Sequence, residues 1–262
     1  MKDSKDLDRN LSFYDSTAAD YDAMLSRLPG DLWVREAFHD LVLRTVPQGS
    51  LLLDFGCGTG TDAIWYARHG HHVLAYDYSS GMMQQLRRKC AWEIDRGEVI
   101  PYEGGWSTFL RESRQERPCA VLANFAVLNS IRDLRSLFDN WAVVVDPGAW
   151  AIVSVLNLHY WKEFAHLSRW TFRRRGGRLS RSGEDTGTYL HSVREIASAA
   201  APKFAIAVCA GVAFLIRYSV GVHDWWEPRS PAERIEHHLW RTPPLSRLGK
   251  FLFIGLRRVS CL

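Results

Sequence analysis

Three glycines and two acids, placed after two apolar runs, form the pattern best suited to chemistry. The run LLLDF contains Asp54, and Gly56, Gly58 and Gly60 then take every second position. A second apolar run ends at Asp77. Glycines at the end of a strand let a ligand approach bare backbone, and an acid at the end of the next strand can accept hydrogen bonds from ribose hydroxyls. The pattern therefore predicts a nucleoside-binding site.

The spacing of these glycines distinguishes between kinds of nucleotide site. Dinucleotide sites favour G-x-G-x-x-G, which brings a pyrophosphate to a helix N-terminus. Here the spacing is G-x-G-x-G, with Thr61 at the place of the third dinucleotide glycine, and no G-K-[ST] of a phosphate-binding loop follows. This arrangement suits a nucleoside that carries an amino-acid tail and no phosphates.

Polar side chains near the ends of two later strands are candidates for acid–base chemistry. His159 and Tyr160 directly follow the fifth predicted strand, and Asn129 follows the fourth. A histidine with an ordinary pKa of about 6.5 can accept a proton near neutral pH. We predict His159 as a general base, Asn129 as a group that orients an acceptor, and Tyr160 as a pocket wall or a donor to the acceptor's oxygen. An acceptor that keeps its proton would need no base.

Apolar runs alternate with amphipathic stretches from residue 51 onward, which predicts a parallel sheet with helices on both faces. We expect a Rossmann-like, doubly wound α/β sheet of about seven strands. The predicted strands are Leu51–Phe55, His72–Tyr76, Glu98–Pro101, Ala120–Ala123, Ala149–Leu156, Phe204–Cys209 and Phe251–Leu256. The predicted helices are Thr61–Arg68, Gly81–Glu93, Ser107–Arg114, Leu134–Val143 and Ser192–Ala200.

The remaining segments predict a domain organisation around this core. Residues 1–48 are predicted as an N-terminal cap of two helices broken at Pro29-Gly30, and residues 49–157 as the ligand-binding core. Residues 158–190 form a lid insertion after the fifth strand. Residues 191–262 complete the sheet and include a second insertion at 218–247. Long insertions in a compact domain are often lids, and these are rich in aromatic residues.

Composition and cysteine usage favour a globular protein in a reducing compartment. The 262 residues are 47% hydrophobic and 24% charged, with a net charge of +4, which is ordinary for a globular domain. The five cysteines form no C-x-x-C pair, so we expect free thiols, no metal site and a cytoplasmic location. The uncharged stretch 204–216 is shorter than the roughly 20 residues of a membrane span, and we expect a buried strand there.

These motifs resemble those of class I S-adenosylmethionine-dependent methyltransferases. LDFGCGTG followed by AYDYSSGMM is similar to their first two motifs, NFAVLNSIRDL to the fourth, and DPGAWAIVSVLN to their Pro-Gly turn and fifth strand. FYDSTAADYDAML, residues 13–25, resembles the N-terminal helix that often closes over the cofactor. The resemblance extends over residues 13–160 and the final strands. It implies S-adenosyl-L-methionine as cofactor and S-adenosyl-L-homocysteine as product.

The resemblance also implies a set of cofactor contacts. Asp77 would bind the ribose hydroxyls, with Tyr78 and Met82 against the adenine. Gly105 and Trp106 stand where the family places a Gly-Asp pair near the adenine amine, and EGGWS departs from that pair. The other implied contacts come from the first acid and glycine loop, the fourth strand and the N-terminal helix: Asp54, Gly56, Cys57, Gly58, Gly60, Asn124, Phe125, Tyr14 and Tyr21.

The patterns together favour methyl transfer to an O, N or C atom of a small, aromatic or apolar metabolite, by a monomer or homodimer. The basic run WTFRRRGGRLSR, with Arg173 to Arg181, has two interpretations. It contacts an anionic or lipid-linked substrate, including a membrane surface, or it is a solvated turn. NFAV stands where enzymes that methylate base amines carry [DN]-P-P-[FYW], so no nucleic-acid substrate is expected. A noncatalytic cofactor-binding subunit is a further alternative, which a turnover assay would separate.

Overall fold

Seven strands of the described part of the chain form one sheet that carries the glycine loop at its centre. The computed structural model describes residues 2–26, 29–113, 116–157, 178–181, 184–212, 235 and 249–260. The strands of the sheet are β1 Leu51–Phe55, β2 His72–Asp77, β3 Val99–Glu103, β4 Ala120–Ala123, β5 Trp150–Leu156, β8 Phe204–Val212 and β9 Phe251–Arg258. A separate hairpin pairs β6 Arg178–Arg181 with β7 Glu184–Tyr189.

The sheet has the order β3-β2-β1-β4-β5-β9-β8. Strands β1 to β5 pair in parallel, whereas β9 is antiparallel to both of its neighbours. The predicted Rossmann-like α/β fold is confirmed, and each of the seven predicted strands forms. The prediction of a parallel sheet was wrong for β9 alone, since β8, antiparallel to β9, runs in the same direction as β1 to β5. An apolar run indicates burial and not strand direction.

Helices cover both faces of the sheet. The N-terminal ones are α1 Lys2–Thr17, α2 Tyr21–Ser26 and α3 Pro29–Thr45. The others are α4 Thr61–Arg68, α5 Ser80–Lys89, α6 Ala91–Asp95, α7 Trp106–Glu112, α8 Leu134–Val144 and α9 Val193–Ala200, with a 3-10 turn at Val127–Ser130. Two predictions need correction. A turn at residues 18–20 divides the first cap helix, so the described residues of the cap form three helices. The predicted helix Gly81–Glu93 divides at Cys90.

Neighbouring residues of β1 belong to two different cores. Leu52 packs into the cluster that contains Phe38 of α3 and Tyr66 of α4. Leu53 packs on the opposite face with Phe138 and Trp141 of α8. Burial on both faces explains why the run LLLDF has no polar alternation, and it fixes the strand from which the glycine loop emerges.

The regions outside the sheet bear on two further expectations. No described helix is long and apolar enough to cross a membrane, and the uncharged stretch that begins at residue 204 starts as strand β8. Much of the two predicted insertions, including Arg173 to Arg175, lies outside the described residues. Their role as lids, and the predicted domain boundaries, stay predictions.

Candidate functional site

A cavity lies at the carboxyl ends of β1, β2 and β4, with the N-terminal helices along one side. In an open α/β sheet this is the expected ligand position, because strand order reverses between β1 and β4. Most of the predicted cofactor contacts line it: Tyr14, Tyr21, Gly56, Cys57, Gly58, Asp77, Tyr78, Met82, Asn124 and Phe125.

The three glycines of the loop have left-handed backbone conformations but different surroundings. A Cβ atom on Gly56 would lie 2.8 Å from the methyl carbons of Val127, and one on Gly60 would lie 2.8 Å from Leu86. Gly58 has φ +54°, and its Cβ would meet no described atom within 4 Å. Since Gly58 lines the cavity, a side chain there would take up ligand space. Gly56 and Gly60 are therefore required by packing, and Gly58 leaves bare backbone for a ligand.

Asp77 ends β2 with its carboxylate at the cavity wall. The carboxylate accepts backbone N–H bonds from Gly58 at 2.8 Å and from Ser79 at 2.9 Å. Burial raises the pKa of Asp77 above its ordinary value, and these N–H groups oppose that effect. A carboxylate oxygen can accept more than one hydrogen bond, so the fixed group can also accept from the hydroxyls of a ligand. The site therefore fits a nucleoside.

The first cap helix docks on the start of α5. Asp15 accepts a hydrogen bond from the Ser79 hydroxyl at 2.6 Å and another from the Gly81 N–H at 2.9 Å. A Cβ atom on Gly81 would lie only 3.0 Å from the Cα of Asp15. The docked helix places Tyr14 against the cavity, and burial raises the pKa of its hydroxyl. Close approach of the two helices thus depends on the glycine.

The second cap helix docks on the glycine loop itself. Asp22 accepts a hydrogen bond from the Thr59 hydroxyl at 2.5 Å and forms an ion pair with Lys89. Lys89 also donates to the hydroxyls of Thr59 and Thr61, both at 2.8 Å. Tyr21, on the same helix, lines the cavity, and burial raises the pKa of its hydroxyl. Two carboxylates of the cap therefore hold it against the elements that form the cavity.

Four predicted contacts lie outside the cavity wall. Asp54 is 3% exposed, one of its oxygens has no partner among the described residues, and burial raises its pKa well above the ordinary value. Gly60 precedes α4 and faces Leu86. Gly105 precedes α7, and Trp106 stacks on Phe109 with ring centroids 4.6 Å apart. Trp106 supports the wall from behind, since it also packs edge-on against Tyr76, which does line the cavity.

A buried charged cluster, formed by Arg35, His39, Asp62 and Asn124, adjoins the cavity. Arg35 Nη1 forms an ion pair with Asp62 Oδ1, which also lies 2.7 Å from His39 Nε2. Asn124 Nδ2 donates to the other oxygen at 3.1 Å. Burial opposes ionisation of Asp62, but the Arg35 charge and the His39 contact hold its pKa well below the usual range. Asp62 therefore remains anionic.

No motif indicated the charged cluster in advance. Arg35 lies 27 positions before Asp62 and belongs to a different part of the chain. The only local signal is that Asp62 falls in the first turn of the helix after the glycine loop, where an acid is favoured.

Of the three candidate catalytic residues, the structure describes Asn129 alone. His159 and Tyr160 lie outside the described residues. Asn129 is 2% exposed, its Nδ2 donates to the Tyr189 carbonyl at 2.6 Å, and its Oδ1 accepts from the Leu156 N–H at 2.8 Å. Both ends of this amide are therefore engaged by backbone, and Asn129 joins the 3-10 turn to β5 and β7 instead of facing the cavity.

Comparisons with known proteins agree with this geometry. The profile of a family described as a methyltransferase domain matches residues 31–198, more than half of the chain. Demethylmenaquinone methyltransferase of Clavibacter sepedonicus is 31% identical over 105 residues, 40% of this chain and 40% of that protein. Demethylmenaquinone methyltransferase of Streptomyces avermitilis is 25% identical over 156 residues, 58% of this chain and 62% of that protein. The chain thus spans about two fifths to three fifths of these relatives.

Solved structures show the same fold. An S-adenosylmethionine-dependent methyltransferase from Mesorhizobium loti superposes with a TM-score of 0.52 at 18% identity. The match covers 85% of this chain and 96% of that one. At this identity the likeness establishes architecture and leaves the acceptor open.

Proposed function

Since this chain belongs to the class I methyltransferases, with S-adenosylmethionine as its cofactor, we propose that it methylates an O, N or C atom of a small, aromatic or apolar metabolite. When bound, the cofactor supplies a methyl group on a sulfonium. The residues of the chain bind it, orient it and exclude water. In this proposal Asp77 accepts hydrogen bonds from the ribose hydroxyls and Gly58 allows close approach of the backbone.

The observation that carries the proposal is the composition of the cavity wall beyond the glycine loop. Beyond the polar groups that fit a nucleoside, the wall includes aromatic and aliphatic side chains of the cap, of the 3-10 turn and of the residues on either side of that turn: Leu11, Tyr14, Tyr21, Leu25, Phe125, Val127 and Ile131. Such a wall favours burial of an apolar acceptor, because removing apolar surface from water is favourable. The names of the two curated relatives, demethylmenaquinone methyltransferases, support an acceptor of this class.

We also propose a proton acceptor beside the cavity, at the carboxyl end of β5. His159 follows β5 directly in the sequence, and the carboxyl ends of parallel strands meet at the edge where the cavity lies. Tyr160 is proposed as a wall or a donor beside it. Much of the rate enhancement is expected from alignment of the two reactants, so a base is needed only for an acceptor that must lose a proton.

A labelled-methyl assay tests the proposal. The protein is incubated with methyl-labelled S-adenosylmethionine and three acceptor sets: apolar aromatic compounds with hydroxyl or activated carbon positions, phosphorylated small molecules, and lipid vesicles. We expect label on members of the first set, with formation of S-adenosylhomocysteine. Label on phosphorylated or vesicle-borne acceptors alone would contradict the acceptor class. Cofactor binding without transfer to any set would favour a noncatalytic subunit.

A further inference from the structure

Tyr14 and Ser130 bring two hydroxyl groups together in the cavity wall. Both side chains line the cavity and are half-buried, and a hydrogen bond joins them. Tyr14 belongs to α1, whereas Ser130 ends the 3-10 turn that follows β4. The lining residues next to them are uncharged: Asn10 and Leu11 lie one helical turn before Tyr14, and Ile131 follows Ser130 directly. The two hydroxyls therefore form a small, uncharged polar pair in a largely apolar part of the wall.

The pair lies on the side of the cavity from which an acceptor would approach. The strand β1 with its glycine loop lies between β2 and β4. A cofactor whose ribose is at Asp77, at the end of β2, therefore extends along the loop towards β4. Its amino-acid end, which carries the sulfonium, then lies nearest the segment after β4. Ser130 belongs to that segment, and α1 brings Tyr14 to it.

Buried hydrogen bonds fix the 3-10 turn that carries Ser130. His191 Nε2 lies 3.2 Å from the Leu128 carbonyl oxygen and 3.0 Å from that of Ile131. Because two carbonyl oxygens face this nitrogen, it carries the proton and donates to both. Asn129, within the turn, is bound at both ends of its amide by the backbone of β5 and β7. The contact of α1 with α5 likewise holds the helix that carries the tyrosine. Groups held in place before binding lose less entropy when a ligand arrives.

The hydroxyl pair keeps hydrogen-bonding capacity of both kinds. A hydroxyl has one O–H donor and two lone pairs. The bond between Tyr14 and Ser130 uses one donor and one lone pair, which leaves one O–H and further lone pairs. The pair can therefore donate to a carbonyl oxygen or accept from a hydroxyl group.

The charges of the cavity wall disfavour an anionic group beside this pair. Among the described lining residues Asp62 and Asp77 are acidic, and Arg35, the single basic one, forms an ion pair with Asp62. A carboxylate or phosphate taken out of water requires a cation or several hydrogen-bond donors. One remaining O–H does not meet that requirement, whereas it is sufficient for an uncharged oxygen.

We propose that Tyr14 and Ser130 bind an uncharged oxygen of the acceptor, a hydroxyl or carbonyl group on an apolar ring, an inference that rests on the proposed methyltransferase function. It narrows the acceptor to phenols and related ring compounds that carry such an oxygen. The two side chains then determine specificity by orienting the ring, and the apolar wall around them buries it.

Binding of matched ring compounds tests the inference without turnover. The protein saturated with S-adenosylhomocysteine is titrated calorimetrically with 1-naphthol, 1-methylnaphthalene and 1-naphthoate, which carry a hydroxyl, a methyl and a carboxylate group on the same ring system. We expect wild type to bind 1-naphthol roughly 10-fold more tightly than 1-methylnaphthalene, since the methyl group leaves a buried hydroxyl of the wall without a partner. The naphthoate should bind more weakly than the naphthol, because its charge is not compensated.

Variants that remove one hydroxyl identify the groups responsible. Ser130→Ala and Tyr14→Phe should each reduce the preference for 1-naphthol over 1-methylnaphthalene to less than about threefold. The double variant should have the preference of the single variants, because the hydroxyls act as a pair. Two matched controls remove a hydroxyl outside the cavity lining and should keep the full preference: Ser12→Ala, at an exposed position of α1, and Tyr102→Phe, on β3.

Several results would overturn the inference and leave the proposed function intact, provided that wild type binds S-adenosylhomocysteine. One is equal affinity of wild type for 1-naphthol and 1-methylnaphthalene, or binding of neither. Another is tightest binding of 1-naphthoate. A third is an undiminished preference in Ser130→Ala, which also decides the matter should Tyr14→Phe fail to fold. Failure of wild type to bind S-adenosylhomocysteine would instead remove the proposed function, and this inference with it.

Discussion

Asp77 is held in a fixed position and has a raised pKa, so its contribution to ligand binding can be tested by varying the pH. Its carboxylate is held by the N–H groups of Gly58 and Ser79, and burial raises its pKa. We expect Asp77→Asn to weaken binding of S-adenosylhomocysteine at neutral pH by on the order of 10- to 100-fold. As the pH falls through the raised pKa, the wild-type group becomes protonated, and wild-type affinity should fall towards that of the variant. Calorimetric titrations across this pH range measure both affinities. If the affinities of wild type and Asp77→Asn changed with pH in parallel, the proposed role of Asp77 would be contradicted.

Gly58 allows backbone strain to be separated from loss of ligand space. Alanine at a left-handed position costs roughly 1–2 kcal/mol of stability. Gly148 has φ +86°, and its Cβ would also meet no described atom within 4 Å, so Gly148→Ala is a matched control for strain outside the cavity. We expect similar loss of stability in Gly58→Ala and Gly148→Ala, measured by urea unfolding. Cofactor affinity should fall only in Gly58→Ala, and equal affinities would contradict its predicted contact.

His159 carries the proposed acid–base chemistry. If it removes a proton from the acceptor, His159→Ala should lower turnover by roughly 10²- to 10⁴-fold and leave cofactor affinity unchanged. Steady-state assays together with cofactor titration measure both quantities. Normal turnover in the variant would mean that alignment of the reactants, and not proton transfer, is the contribution of the protein.

Residues of the cofactor site differ in how far the sequence could predict them. Gly58 and Asp77 are recognisable because Gly58 lies in the loop after β1 and Asp77 ends β2, so local spacing determines where they lie. Arg35 and Asp62 meet only when α3 packs beside α4, and no spacing rule describes that contact. Trp106 was predicted at the adenine from the resemblance, but ring stacking on Phe109 places it behind the wall.

Among the helices, the contact between α1 and α5 holds α1 along one side of the cavity. Alanine is a better helix former than glycine by about 1 kcal/mol, so Gly81→Ala should not weaken α5 itself. Its Cβ would press on the Asp15 backbone, and we expect faster hydrogen exchange in residues 10–25. Gln84→Ala, at an exposed position of the same helix, should leave this exchange unchanged.

Bound cofactor should slow hydrogen exchange in residues 10–25, the opposite of the effect expected for Gly81→Ala. If α1 and α2 close the cavity, added S-adenosylhomocysteine should slow exchange in residues 10–25 of wild type, since both helices contribute lining residues. Absence of any change would contradict closure by the cap. In the absence of cofactor, hydrogen exchange in Gly81→Ala equal to that of wild type would show that the contact between α1 and α5 does not depend on Gly81.

The sequence predicts elements better than their arrangement. Apolar runs and periodicity located the seven strands, because burial on both faces leaves a local pattern. The reversed direction of β9 and the turn between α1 and α2 depend on how distant segments pair and dock. Such pairing leaves no periodic signal in one sequence.

At the scale of the molecule, Asp62 links the cap to the core through Arg35 and His39. We expect Asp62→Asn to lower the free energy of unfolding by about 3–5 kcal/mol near neutral pH, as for removal of one partner of a buried ion pair. The depressed pKa means that this stabilisation is present above the unfolded value of about 3.9 and is lost as the pH falls below it.

Urea unfolding at neutral and acid pH measures the effect. The difference between wild type and Asp62→Asn should narrow below about pH 4. Asp139→Asn, at an exposed position of α8, should match wild type throughout. A constant difference between Asp62→Asn and wild type at every pH would show that the charge of Asp62 is not what stabilises the contact.

We propose that the cavity holds S-adenosylmethionine with its ribose at Asp77 and the cap helices over it. A crystal structure of the protein with S-adenosylhomocysteine tests this most directly. We expect the ribose hydroxyls on the Asp77 carboxylate, the amino-acid tail beside Gly58, and Tyr14 and Tyr21 covering the ligand. A ligand bound elsewhere, or a reversed ligand whose ribose hydroxyls do not reach Asp77, would contradict this placement.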